Sequence, residues 1–210
     1  MRALLFLFVA AATLAGCSSP KNTYYTLSAP EIPAATTLSQ KTRVMVGPVT
    51  VPALNDNPQL VVKNSSNHVT VYEYQRWAGS LKTDIERVVA ADLARDLSTP
   101  NVWSYTQSPV THCDYQVLLD VQSIDSKLAD SVTLDVLWTI KPKSIKTQSP
   151  DDADSKTAKH AKHSAAVQRE TTGRSVVRER VTGDGFEPLV AAQSRAFDQV
   201  SLEIAKAIRH

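Results

Sequence analysis

The chain has 210 residues and carries 23 lysines and arginines against 21 aspartates and glutamates, a formal net charge of +2. So even a balance argues against a nucleic-acid binder, which would carry a strongly basic face. Glycines are few, and neither a glycine-rich phosphate loop nor any common nucleotide signature is present.

The first stretch with a clear meaning is N-terminal. Arg2 precedes an apolar run from Ala3 to Ala12, and Leu14-Ala15-Gly16-Cys17 closes it. This is the pattern of a lipoprotein secretory signal. The run is too short to span a bilayer as a permanent helix, which takes about 20 residues. Small side chains at Ala15 and Gly16 let a peptidase grip the backbone, and the Cys17 thiol is the atom expected to be acylated. Residues 1–16 therefore read as a signal peptide and 17–23 as a lipid-anchored tether. Residues 24–210 read as a single α+β domain. Each buried CH₂ of an acyl chain contributes about 0.8 kcal/mol, so several chains on one cysteine hold durably. The residue after Cys17 is Ser18 rather than Asp, which among bacterial lipoproteins favours the inner leaflet of the outer membrane. With Cys17 acylated, Cys113 has no partner within the chain and reads as a small apolar core residue.

Downstream, Tyr24-Tyr25-Thr26-Leu27 is β-prone and is predicted as the first strand. Ser28 to Thr42, with Pro30 and Pro33, reads as an irregular surface connection. Arg43 to Val51 predicts a strand kinked at Gly47-Pro48. Gln59 to Lys63 and Val69 to Gln75 predict a hairpin, with Val69 and Val71 on one face and Tyr72 and Tyr74 on the other. Trp77 follows at once and is expected to pack across the first turn of a helix; ligand stacking and a place in a subunit interface are its other readings. Leu81, Ile85, Val88, Val89, Leu93 and Leu97 recur at helical spacing, which predicts an amphipathic helix from Gly79-Ser80 to just before Pro100. Asp92 and Asp96 fall inside its apolar arc. Either they contact a partner subunit, or the helix end leaves the core and they are solvated or paired; the second is expected.

Asn101 to Thr106 reads as extended. Tyr115 to Ile124 and Ser131 to Lys141 alternate as two half-buried antiparallel strands around a turn from Asp125 to Asp130. Pro142 to Ala166 is polar and nearly free of large apolar residues. It cannot bury enough surface to offset ordering and is expected to be disordered. Gln168 to Val181 resumes a strand pattern. Phe186 to Ile208 is a second long amphipathic helix, with Pro188 in its first turn and Val190, Phe197, Val200, Ile204, Ala207 and Ile208 on the buried stripe. The expected fold class is α+β: an antiparallel or mixed β-sheet with two long amphipathic helices packed on one face.

No catalytic constellation emerges. In His112-Cys113-Asp114, neighbouring residues on an extended segment point to opposite sides, so a thiol–imidazole pair is not expected. His160 and His163 have helical spacing but no firm third metal ligand. Asp151, Asp152 and Asp154 lack the glycine and distal glutamate of a calcium loop. No cofactor and no enzymatic activity are expected.

The ordered set Leu14-Ala15-Gly16-Cys17, Tyr24-Tyr25-Thr26-Leu27, Val49-Thr50-Val51-Pro52, Trp77-Ala78 with Leu81, Asp96-Leu97-Ser98 and Gly183-Asp184-Gly185-Phe186 resembles the PqiC family. This family comprises auxiliary lipoproteins of ABC-type lipid transport systems. Pro142 to Ala166 departs from it, standing where the family has a short turn. The resemblance implies a non-enzymatic outer-membrane lipoprotein of a Gram-negative bacterium, anchored on the periplasmic face. It further implies a ring-forming homo-oligomer that docks on a periplasmic MCE-type (PqiB-like) lipid transport protein and supports membrane integrity. The alternative is a structural lipoprotein that binds peptidoglycan or an outer-membrane assembly machine.

Overall fold

The computed structural model describes residues 20–29, 42–106, 112–143 and 169–209. The expected leader, Cys17 and the residues 144–166 of the expected disordered loop lie outside these, as do His160 and His163. The elements are β1 (Thr23–Tyr25), β2 (Val44–Thr50), β3 (Gln59–Ser65), β4 (His68–Trp77), α1 (Leu81–Asp96), β5 (Val102–Ser104), β6 (Tyr115–Ser126), β7 (Ser131–Pro142), β8 (Thr171–Arg180) and α2 (Phe186–Arg209).

The α+β class expected from the sequence is what forms, but the strands divide between two sheets. A five-stranded mixed sheet has the order β5-β2-β6-β7-β8, and a three-stranded sheet has the order β1-β4-β3. In the large sheet β2 runs parallel to both β5 and β6, while β6-β7 and β7-β8 are antiparallel. The alternation read along Ser131 to Lys141 is the pleat of β7. Val132, Leu134, Val136, Trp138 and Ile140 are all buried, and Leu137 is exposed on the other face.

Both helices cover the inward face of the large sheet and pack on each other. On α1 the apolar stripe Leu81, Ile85, Val88, Val89 and Leu93 is buried. On α2 the buried stripe is Val190, Phe197, Val200 and Ile204, whereas Ala207 and Ile208 are only partly covered near the helix end. Phe186, at the start of α2, packs that helix on the small sheet: its ring stands 4.7 Å from Tyr72 of β4 and 6.1 Å from Tyr25 of β1, centroid to centroid.

The kink expected at Gly47 is a bulge, where the register of β2 on β6 shifts between Val46 and Val49. Gly47 has φ +114°, and a Cβ there would stand 2.8 Å from both Glu86 Oε1 and Tyr105 Cβ. The Gly47 carbonyl accepts from Gln116 Nε2 at 2.9 Å, and the buried Glu86 carboxylate accepts from Thr106 N (3.2 Å) and Oγ1 (2.5 Å). Glycine is required here so that β2, α1 and β5 can meet.

Asp92 and Asp96 are paired, as expected, but the end of α1 does not leave the core. Asp92 is 1% exposed and sits between α1 and α2. Arg95 stands 3.5 Å from Asp92 Oδ1 and 2.9 Å from Asp96 Oδ1, and it also binds Asp198 of α2. The acidic pair thus faces the other helix of its own chain. Trp77 is likewise part of the core, 6% exposed, and is available neither for stacking on a ligand nor for a subunit interface.

Candidate interaction surface

The three-stranded sheet is built around β4. The strand pairs antiparallel with β3, where Val61 faces Val71 and Lys63 faces Val69, and it pairs parallel with β1, where Tyr24 faces Arg76 and Tyr25 faces Trp77. Between Tyr72 and Arg76 the register on β3 slips. Tyr72 and Trp77 are five residues apart and would lie on opposite faces of a regular strand, yet the slip turns both inward. Tyr74 is left in solvent, so Tyr72 and Tyr74 do not share a face as the alternation predicts.

The outward side of this sheet carries several exposed apolar side chains. Tyr24 is 60% exposed, Val71 49%, Tyr74 45% and Val69 41%. These are four of the eight exposed large hydrophobic side chains among the described residues, although β1 and β4 together hold only thirteen residues. The remaining four are scattered over other elements; Val176 and Leu137, for example, lie among Arg174, Asp135 and Arg178 on the outer face of the large sheet. A cluster of this kind marks an interaction surface, whereas single exposed residues do not.

The segment after β1 is fastened to both helices. The Leu27 amide donates to Asp84 Oδ2 at 2.6 Å, Thr26 Oγ1 donates to the same carboxylate at 3.0 Å, and Arg87 Nη2 donates to the Leu27 carbonyl at 2.5 Å. The Ser28 amide donates to Ser194 Oγ of α2 at 3.1 Å, and the Leu27 side chain is buried. Charge-assisted bonds of this kind are the stronger ones. Beside β1 an open groove of about 500 Å³ runs along the start of α2, lined by Thr23, Tyr24, Tyr25, Glu187 and Val190. Burial and the nearby Glu187 push the Tyr25 hydroxyl above its ordinary value, and it donates to Gln75 Oε1 at 2.7 Å.

The remaining sequence candidates are not brought together. His112 is exposed, whereas Cys113 is 4% exposed and its thiol is pushed up by burial, the opposite of an activated nucleophile. The Asp114 carboxylate, hydrogen-bonded by Arg43 at 2.9 Å, is held below the usual carboxylate range. Among the described residues there is no group of three or more metal-ligating side chains, and no helix is long and apolar enough to cross a membrane.

Two features set the class. The chain is an α+β domain fastened at its first strand, and its exposed apolar surface is gathered on the small sheet beside that strand. Residues 25–205 match the model of the ABC-type transport auxiliary lipoprotein component, and the chain belongs to that family. The fold recurs in a crystal structure of an uncharacterized protein, with TM-score 0.64, 15% identity, and coverage of 90% of this chain and 99% of the other. It recurs also in a Xanthomonas campestris protein of family DUF330, with TM-score 0.58, 15% identity, and coverage of 87% and 92%. The comparison with curated proteins gave no match.

Proposed function

We propose that this protein is a non-enzymatic, lipid-anchored component of an MCE-type intermembrane lipid transport system, acylated on Cys17 and held on the periplasmic face of the outer membrane. In this reading it assembles with copies of itself into a ring and docks on a periplasmic MCE protein, which supports membrane integrity through lipid traffic. The observation that carries the reading is the family match over residues 25–205. The lipobox Leu14-Ala15-Gly16-Cys17 and the fastened strand β1 accord with it. An auxiliary component works by binding and placement, so it requires no reactive constellation. The test is cross-linking in whole cells followed by affinity purification of the lipoprotein. An MCE-type protein in the eluate is the expected result. Peptidoglycan fragments or outer-membrane assembly proteins in its place would support the structural alternative and overturn the docking role.

A further inference from the structure

We propose that the outward face of the three-stranded sheet, bearing Tyr24, Val69, Val71 and Tyr74, lies against the lipid surface that holds the anchor. The inference rests on the lipid-anchor reading and goes beyond it by giving the domain an orientation.

Chain length supplies the first argument. Cys17 precedes Thr23, the first residue of β1, by six residues, and six residues of fully extended chain span at most about 21 Å. The fastening of Thr26 and Leu27 to Asp84 and Arg87 prevents β1 from peeling away to lengthen the leash. An anchor at Cys17 therefore keeps β1, and with it the small sheet, within roughly two strand lengths of the bilayer. The second argument is the chemistry of the face. Tyrosines concentrate at the membrane–water interface, where the ring meets acyl chains and the hydroxyl meets headgroups. Tyr24 and Tyr74 are 60% and 45% exposed, with Val71 and Val69 beside them. Two of the charged side chains near them are met by an opposite charge: Arg76 by Glu73 at 3.4 Å, and Lys63 by Asp125 at 2.5 Å, while Lys21 lies in the tether before β1. Attraction to the surface is therefore apolar and interfacial, and it should survive high salt.

The test uses the full lipoprotein, produced with its own leader and reconstituted into vesicles of phosphatidylethanolamine and phosphatidylglycerol. In a Cys113→Ala background, a small fluorophore is placed by Val71→Cys on the proposed face, or by Val176→Cys on the outer face of the large sheet. Lipids spin-labelled near the headgroup serve as quenchers. The expected result is co-flotation of both variants with the vesicles and several-fold stronger quenching at position 71 than at 176, unchanged at high salt. Co-flotation with equal quenching at the two positions would overturn the orientation and leave the anchor standing. Failure to co-float would overturn the anchor reading and the inference together. A position 71 probe shielded from lipid and from aqueous quencher alike would mean that a second copy or another protein covers the face, and would overturn the proposal.

Discussion

The indole of Trp138 on β7 lies against Gly173, its register partner on β8, so closely that a Cβ on Gly173 would stand 2.1 Å from Trp138 Cζ2. The indole cannot retreat. It is 8% exposed, and its Nε1 donates at 2.9 Å to Ser175 Oγ, which in turn donates to Glu203 on α2. Gly173→Ala is therefore expected to cost about 1–3 kcal/mol, the range for overpacking a filled core. Chemical denaturation would measure this loss. A double-mutant cycle with Trp138→Leu should recover part of it, because the smaller side chain makes room.

The acidic cluster between the helices yields a pH prediction of unusual sign. Burial first, and then the neighbouring Asp198 and Asp96, push the Asp92 carboxyl up to about 7, with Arg95 opposing. Burial works against the Arg95 charge too, but Asp96 and Asp198 hold it firmly on. Ser201 is the remaining polar neighbour, its Oγ 3.5 Å from Asp92 Oδ2 but already donating to the Phe197 carbonyl at 2.9 Å. An unfolded chain releases the Asp92 proton near 3.8, and the folded one releases it only near 7. Between these values the native state binds more protons, so stability from this group falls as pH rises and levels off above about 7. Asp92→Asn is expected to stabilise the protein by about 1–3 kcal/mol at pH 8 and to flatten the slope between pH 4 and 7. Thermal melts at several pH values would show both effects. Asp114 and Asp135 act oppositely. Each is held below the carboxylate range by an arginine, Arg43 or Arg174, so their contribution is present above that range and is lost as pH falls through it.

Asp84 is the hinge pin of the N-terminal fastening, accepting from Thr26, from the Leu27 amide and from Arg87. Asp84→Ala is expected to cost about 1.5–3 kcal/mol, the range for hydrogen bonds to a charged group. Amide exchange should show faster exchange at Leu27 with the β6–β7 ladder unchanged. A uniform rise in exchange would mean that Asp84 serves global stability and not the fastening of β1.

Local pattern carried much of this fold. The β6–β7 hairpin and the α2 stripe are legible because each depends on side chains alternating within one element. The second sheet is not legible in the same way: β1 joins β4 in parallel across fifty residues, a pairing that leaves no periodic trace. The Asp92 environment is hidden for a similar reason, since Asp198 arrives from a helix more than a hundred residues later. The register slip in β4 defeated the assignment of Tyr72 and Tyr74 to one face. The apolar cluster on the small sheet was half visible, because alternation placed Val69 and Val71 together. That this face stays open depends on both helices packing elsewhere, which only the tertiary fold decides.

Cys17→Ser is expected to abolish incorporation of labelled palmitate and to release the protein from membranes. The domain itself should keep its stability, because Cys17 precedes β1, the first strand, by six residues in the sequence. Metabolic labelling with fractionation would check this, and palmitate incorporation that persists in the variant would point to a different acylated residue.

The proposed assembly on an MCE-type transport protein can be checked by native mass spectrometry of the lipoprotein purified from membranes in mild detergent. A discrete multi-subunit species carrying an MCE-type protein is the expected result. A monomer at micromolar concentration, with no MCE-type protein attached, would overturn the docking role.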